Sequence, residues 1–325
     1  MDKNINAKQS YKNGIKLPFD TSDLIPVLTL AILVIASSFL SSAFFTSRNI
    51  TNLLRQNAGA IVIAMGMLLV ILTGGIDLSV GSVVAFSNVL IAHFCQTMPT
   101  TVAFIYTLGI SVVIGCVAGY LVSYCKLAPF VITLASMTIT RGLAYMISKG
   151  APINLPQGSW LIPFALNSWL GIPQLAWVAV GIFALVAATL TFTGFGRLIK
   201  AIGSNESAVR LSGIRTNLYK MMVYVISAAL CAVGGMISNA RTMIGTPLIG
   251  EGMELDAIAA VVIGGANLSG GRGKALNTLM GVFILALIRN IMNLMNVASY
   301  PQQIIKGIII ILAVLLQSGL FKRKK

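Results

Sequence analysis

Residues 24–45 read LIPVLTLAILVIASSFLSSAFF, a run without a single charge. A helix rises 1.5 Å per residue, so about 20 apolar residues cross the hydrocarbon layer of a bilayer. Similar runs recur along the chain. Only 10% of its 325 residues are charged and 57% are hydrophobic, whereas soluble domains carry about 25% charged residues. A soluble fold of this length would lack the polar surface to stay dissolved. The fold class is therefore all-α: a polytopic helical membrane protein.

Ten crossings are expected, two of them short: 24–45, 53–73, 80–96, 101–123, 129–148, 174–193, 217–240, 255–265, 276–295 and 301–320. A basic tail, 1–23, precedes a single membrane domain, 24–320, and a second basic tail, 321–325, ends the chain. An even count puts both termini on one side. With the termini cytoplasmic, 16 of the 23 Lys and Arg lie on that side, as the positive-inside rule requires. The net charge of +15 thus reads as a topology signal rather than a nucleic-acid surface. Cys95, Cys116, Cys125 and Cys231 show no metal-binding or disulfide spacing.

An internal repeat stands out. GGIDLSVG (74–81) and GGANLSGG (264–271) match as G-G-x-[Asp/Asn]-L-S-x-G, each closing an apolar run. The positions concerned are Gly74, Gly75, Asp77 and Ser79 in one copy, and Gly264, Gly265, Asn267, Ser269 and Gly271 in the other. They are expected to break helices, with the polar groups satisfying backbone that lipid cannot. Paired glycine-interrupted segments mark the midplane of duplicated transporters. The fold is thus about ten transmembrane helices in two repeated halves with broken or short helices, and the halves are parallel or, if one segment is re-entrant, inverted.

The second copy also contains LSGG, resembling the signature of ATP-binding-cassette ATPases, and a Gly-Lys pair. A phosphate loop needs G-x-x-x-x-G-K-[ST], but Leu268 stands at its first glycine and Ala275 at its hydroxyl. The chain is not expected to hydrolyse ATP.

Four ordered stretches carry a family resemblance: LTGGIDLSVGS (72–82), PFVITLASMTITRGLAY (129–145), GRLIKAIGSNESAVRLSGI (196–214) and ELDAIAAVVIGGANLSGGRG (254–273). From about residue 50 onward the chain resembles the bacterial ABC sugar permeases, above all the ribose, xylose, galactose and autoinducer-2 type. The wider superfamily reaches nucleosides and branched-chain amino acids. The resemblance implies a non-catalytic permease in the bacterial inner membrane. Its implied partners are a second permease, as homodimer or heterodimer, a cytoplasmic ABC ATPase and a periplasmic or lipid-anchored sugar-binding protein. It further implies that this chain binds no cofactor, ATP and Mg²⁺ being used by the ATPase. Membrane lipid is a partner and nucleic acid is not.

Segment 194–216 is the candidate ATPase-coupling element. Ser204 or Asn205 would cap a short helix, with Glu206 offsetting its dipole. The segment is similar to a Glu-Ala-Ala-Gly coupling motif, with Gly203, Asn205, Glu206, Ala208, Arg210 and Gly213 as coupling residues. Its Glu206-to-Gly213 spacing is one residue longer, and Ser207 replaces an alanine.

Within the spans, polar side chains are costly and mark pathways or packing. Asn290 and Asn293, three apart on one helix face, either meet sugar hydroxyls or join helices; Arg289 lies beside them. Arg141 needs a partner or a watery cavity, with Asp77, Glu254 and Asp256 as possible carboxylates, Asp77 disfavoured by depth. Lys306 is expected to snorkel outward. GCVAG (115–119) predicts close helix packing. Outer segments 149–173 and 246–255, with Glu251 and Glu254, are where a binding protein would dock. An ion-coupled secondary carrier is the alternative, but it would place more carboxylates in its spans.

Overall fold

The computed structural model describes residues 21–317. The tail before residue 21 and the terminal 321–325 segment lie outside the described residues. The element order is α1 (Thr21–Leu40), α2 (Ser47–Leu72), α3 (Val80–Phe94), α4 (Thr100–Ser123), α5 (Pro129–Ser148), α6 (Leu161–Leu166), α7 (Gln174–Phe192), α8 (Gly194–Leu211), α9 (Thr216–Thr242), α10 (Met253–Ile263), α11 (Ala275–Leu294) and α12 (Ser299–Gln317). Short strands β1 (Ile153–Asn154) and β4 (Ile244–Gly245) pair antiparallel, as do β2 (Ser168–Trp169) and β3 (Ile172–Pro173). Every expected crossing corresponds to a helix. Among the described residues, α2, α4, α5, α7, α9 and α11 are long and apolar enough to cross a membrane.

Helix α9 is the hub of the bundle, packed by α2, α3 and α4. Small residues allow this approach. A Cβ at Gly115 or Gly119 of α4 would stand 2.8 Å from the carbonyl oxygen of Tyr224 or Met221 on α9. On α2, a Cβ at Gly66 would stand 3.2 Å from the Ser227 Cα. Without a hydrophobic drive between helices in lipid, this close backbone packing holds the bundle together.

Two of the helices at expected crossings are too short to span the membrane alone. Helix α10, with 11 residues, covers about 16 Å, and α3, with 15 residues, about 22 Å, against a hydrocarbon core of roughly 30 Å. Extended chain covers the rest. After α2 ends, Asp77 is buried and its Oδ2 accepts from the Ser227 hydroxyl at 3.1 Å. Ser227 lies about 16 Å along α9 from Thr216 at 1.5 Å per residue. Segment 73–79 therefore climbs into the bundle, which corrects the expectation that Asp77 stays at the surface. At the other end, β4 follows α9 and residues 246–252 descend inward. Asn88 of α3 guides them: its Oδ1 accepts the Thr246 N–H at 2.7 Å.

The two half-helices start side by side. Gly81, in the first turn of α3, packs so closely on the Gly250 backbone and the Glu254 carboxylate that a Cβ would overlap both. From this meeting point α3 runs towards the β1–β4 end, where Gln96 donates to the Asn154 carbonyl at 2.8 Å. Helix α10 runs the opposite way. The half-helices are inverted, although the glycine turns that close α2 and α10 lie at the same end.

Candidate functional site

Both copies of the repeated motif fold alike. Helix α2 ends with Gly74 in the left-handed region (φ 77°) and Gly75 N–H donating to the Val70 carbonyl. Helix α10 ends with Gly265 (φ 82°) and Ala266 N–H donating to the Val261 carbonyl. Each is a six-to-one closure of the kind glycine favours. Next, Asp77 Oδ1 accepts the Ser79 N–H at 3.0 Å, and Asn267 Oδ1 accepts the Ser269 N–H at 3.0 Å. These are the side-chain turns that make Asp and Asn interchangeable at this position. The copies then diverge. Ser79 leads directly into α3, whereas Gly270 and Gly271, both with positive φ, turn the chain before α11.

The two turns touch each other and α8. Gly271 N–H donates to the Leu72 carbonyl at 3.0 Å. Gly203 of α8 sits on the same carbonyl, and a Cβ there would overlap both it and the Gly271 nitrogen. Gly264 is likewise pressed on the α11 backbone at Asn277.

Beyond this junction α8 breaks. Asn205 leaves helical geometry (φ −159°, ψ 90°), and its Oδ1 accepts the Ala208 N–H at 3.0 Å, capping a second short turn. The helix thus starts at Gly194, upstream of the short helix expected from sequence, and Asn205 rather than Ser204 is the inner cap. Glu206 is clamped by Lys220 at 2.9 Å, by Thr216 at 3.3 Å and by Lys126 at 3.6 Å. Burial tends to raise its carboxyl, but Lys220 and then Lys126 outweigh this and hold it below the ordinary value of 4.5. Ser207, Ala208, Arg210 and Gly213 are exposed, and Leu211 is 88% exposed. Gly213 closes the tip with φ 81°.

A cavity of 140 Å³ lies between α2, α9, α10 and α11 in the opposite half of the bundle. Arg289 Nη2 donates to Asp256 Oδ2 at 3.1 Å, and Lys306 of α12 pairs with Asp256 Oδ1. Lys306 therefore turns inward to a carboxylate instead of snorkelling. A larger opening of 310 Å³ adjoins it, lined by Glu251, Gln302 and Lys306.

The expected pathway residues divide. Arg289 lines the cavity. Asn290 exchanges two hydrogen bonds with Asn49 of α2, at 3.1 and 2.8 Å. Asn293 accepts from Gln302 at 2.8 Å. Arg141 Nη1 donates to the carbonyls of Pro247 at 2.5 Å and Ile249 at 2.8 Å. Its partners are backbone, not the carboxylates considered from sequence. Sequence reasoning missed Gln56, Asn57, Ser238 and Arg241 of the cavity wall. Their signal was faint, polar residues close to expected span ends.

Residues 49–314 match the family described as branched-chain amino acid transport system / permease component. The ribose import permease protein RbsC of Bacillus subtilis (strain 168) is 44% identical over 293 residues, covering 90% of this chain and 91% of that protein. RbsC of Escherichia coli (strain K12) is 39% identical over 296 residues, covering 90% and 92%. The L-arabinose transport system permease protein AraH of Escherichia coli (strain K12) is 34% identical over 309 residues, covering 92% and 91%. No solved structure matches the chain.

Proposed function

The chain belongs to the branched-chain amino acid transport system / permease component family, and we propose that it is the membrane permease subunit of an ATP-driven importer for ribose or a related monosaccharide. The sugar class rests on the ribose and arabinose permeases it resembles over nine-tenths of its length. In this reading the subunit is non-catalytic and works in the bacterial inner membrane with its termini in the cytoplasm. A second permease, a cytoplasmic ABC ATPase that uses ATP and Mg²⁺, and a sugar-binding protein on the outer side complete the machine.

One observation carries the mechanism: the exposed α8 tip is joined through Gly203 to the turns that follow both α2 and α10. The tip, with small exposed Ser207 and Ala208 and apolar Leu211, is the surface offered to the ATPase. Glu206, clamped to Lys220 at the start of α9, keeps the tip from swinging free. A push on α8 therefore reaches α9, the end of α2 and the closed end of α10 together. Because α3 and α10 begin inside the bundle and run opposite ways, displacing them opens one half while closing the other, a rigid-body route to alternating access.

The test is uptake by right-side-out membrane vesicles supplied with the sugar-binding protein and loaded with ATP. Labelled ribose should enter with ATP and be insensitive to a collapsed proton gradient, and Ala208→Arg should release the ATPase while the permease stays in the membrane. Uptake that stops with the proton gradient and ignores ATP would instead establish an ion-coupled carrier.

A further inference from the structure

We propose that the cavity between α2, α9, α10 and α11 is a binding site for one neutral monosaccharide ring during passage, an inference that rests on the permease reading above. The volume of 140 Å³ is close to that of an engineered protein cavity of roughly 150 Å³ that takes benzene. A single sugar ring is of that scale.

Gln56 and Asn57 offer amides, which both donate and accept, matching hydroxyl groups that do the same. Asn57 Nδ2 is spent on the Leu53 carbonyl at 2.7 Å, leaving its oxygen as an acceptor. Arg241 lines the cavity with a solvent-exposed side chain, and no hydrogen bond or ion pair from it is found among the described residues. A guanidinium carries five donors and no acceptor, which suits it to ring and hydroxyl oxygens. Asp256, on the same cavity wall, is paired with Arg289 and Lys306. The buried Ser238 hydroxyl adds one more polar group, and Ile63, Ile237 and Val282 supply apolar walls for the C–H face of a sugar. Such a mixture, apolar walls with a few convergent polar groups, is the usual make-up of a small-molecule site.

The cavity borders Asp256, in the first turn of the half-helix α10, and Arg289, one wall of the adjoining larger opening. A ring bound here touches the element whose displacement alternates access.

The test uses cells carrying the complete transporter. Arg241→Gln, and Ala60→Phe to fill the cavity, should each lower ribose uptake about tenfold at equal membrane protein level, the scale set by losing one charged hydrogen bond. Saturating ribose should also protect Ser238→Cys from a methanethiosulfonate reagent. If Arg241→Gln fails to reach the membrane, the filled cavity and the protection experiment decide. Uptake within about twofold of wild type in both variants, or labelling that ribose leaves unchanged, would overturn the site, since hydrogen-bond loss predicts more. Protection by ribonate and not by ribose would overturn the neutral-sugar assignment. Wild-type cells that take up no ribose, arabinose or galactose would overturn the functional reading and the site with it, whereas sugar uptake indifferent to both substitutions removes the site alone.

Discussion

The Gly271 N–H donates to the Leu72 carbonyl at 3.0 Å, so the turn after α10 completes the unpaired end of α2. Carbonyls at a helix end need partners, above all where water is excluded. Here the partner comes from the other copy of the same motif, and the two repeats close on each other. Gly203 of α8 then fits where no Cβ can go.

That fit makes Gly203→Ala the sharpest structural test. The neighbours are backbone atoms of Leu72 and Gly271, which cannot rotate aside, and overpacking of this kind costs about 1–3 kcal/mol. Thermal unfolding in detergent should fall accordingly. Gly109, with open space around it, should accept alanine without loss.

At the α8 tip, Asn205→Ala removes the oxygen that accepts the Ala208 N–H. Loss of such a cap costs about 1 kcal/mol, which speeds local opening by about fivefold. Hydrogen exchange at Ala208 should accelerate by that factor, and Asn205→Asp, which keeps the accepting oxygen, should restore it.

Glu206 gives the tip a pH dependence. Its carboxyl is held below the ordinary value of 4.5, with burial opposed by Lys220 and Lys126. A lowered folded-state value means the folded form favours the charged carboxylate. The contribution is therefore complete above the unfolded-state value and is lost as pH falls through the lowered one. The side chain is only half-buried and its partners reach solvent, so the effect is modest. Loosening of the tip below pH 4.5, followed by exchange of residues 206–211, should disappear in Glu206→Gln.

Much of this architecture was written in the sequence, because hydropathy and glycine placement report directly on helices and their ends. The equivalence of Asp77 and Asn267 follows from spacing alone, and both do accept from the serine two residues on. Depth was not legible. Asp77 was expected at the surface because a motif that breaks a helix carries no record of where the chain goes next; its bond to Ser227 places it inside. Nor could sequence find the partner of Arg141, since backbone carbonyls at Pro247 and Ile249 have no residue-type signature. Arg241 escaped notice because a cation near a span end is ordinary.

Arg141 anchors the descending segment 246–252 at two points. Arg141→Ala leaves two carbonyls without their donor, each costing about 1–3 kcal/mol where it stays buried. The segment should then loosen from α5. Thr246→Cys, buried in the intact segment, should become labelled faster in that background, and Arg141→Lys, which retains a charged donor group, should fall between the two.

The reciprocal amides of Asn49 and Asn290 separate packing from passage. Two hydrogen bonds at 3.1 and 2.8 Å use the donor of one and the acceptor of the other in both directions. Interhelical polar pairs in membranes contribute about 0.6–2 kcal/mol. Each single alanine variant should lose stability, and the double variant should lose less than their sum, with a coupling energy of that size. A solute-binding role for Asn290 would show differently: Asn290→Ala would cut ribose uptake while Asn49→Ala would not. Since each amide occupies the other, we expect both variants to follow stability alone, with equal uptake per folded permease.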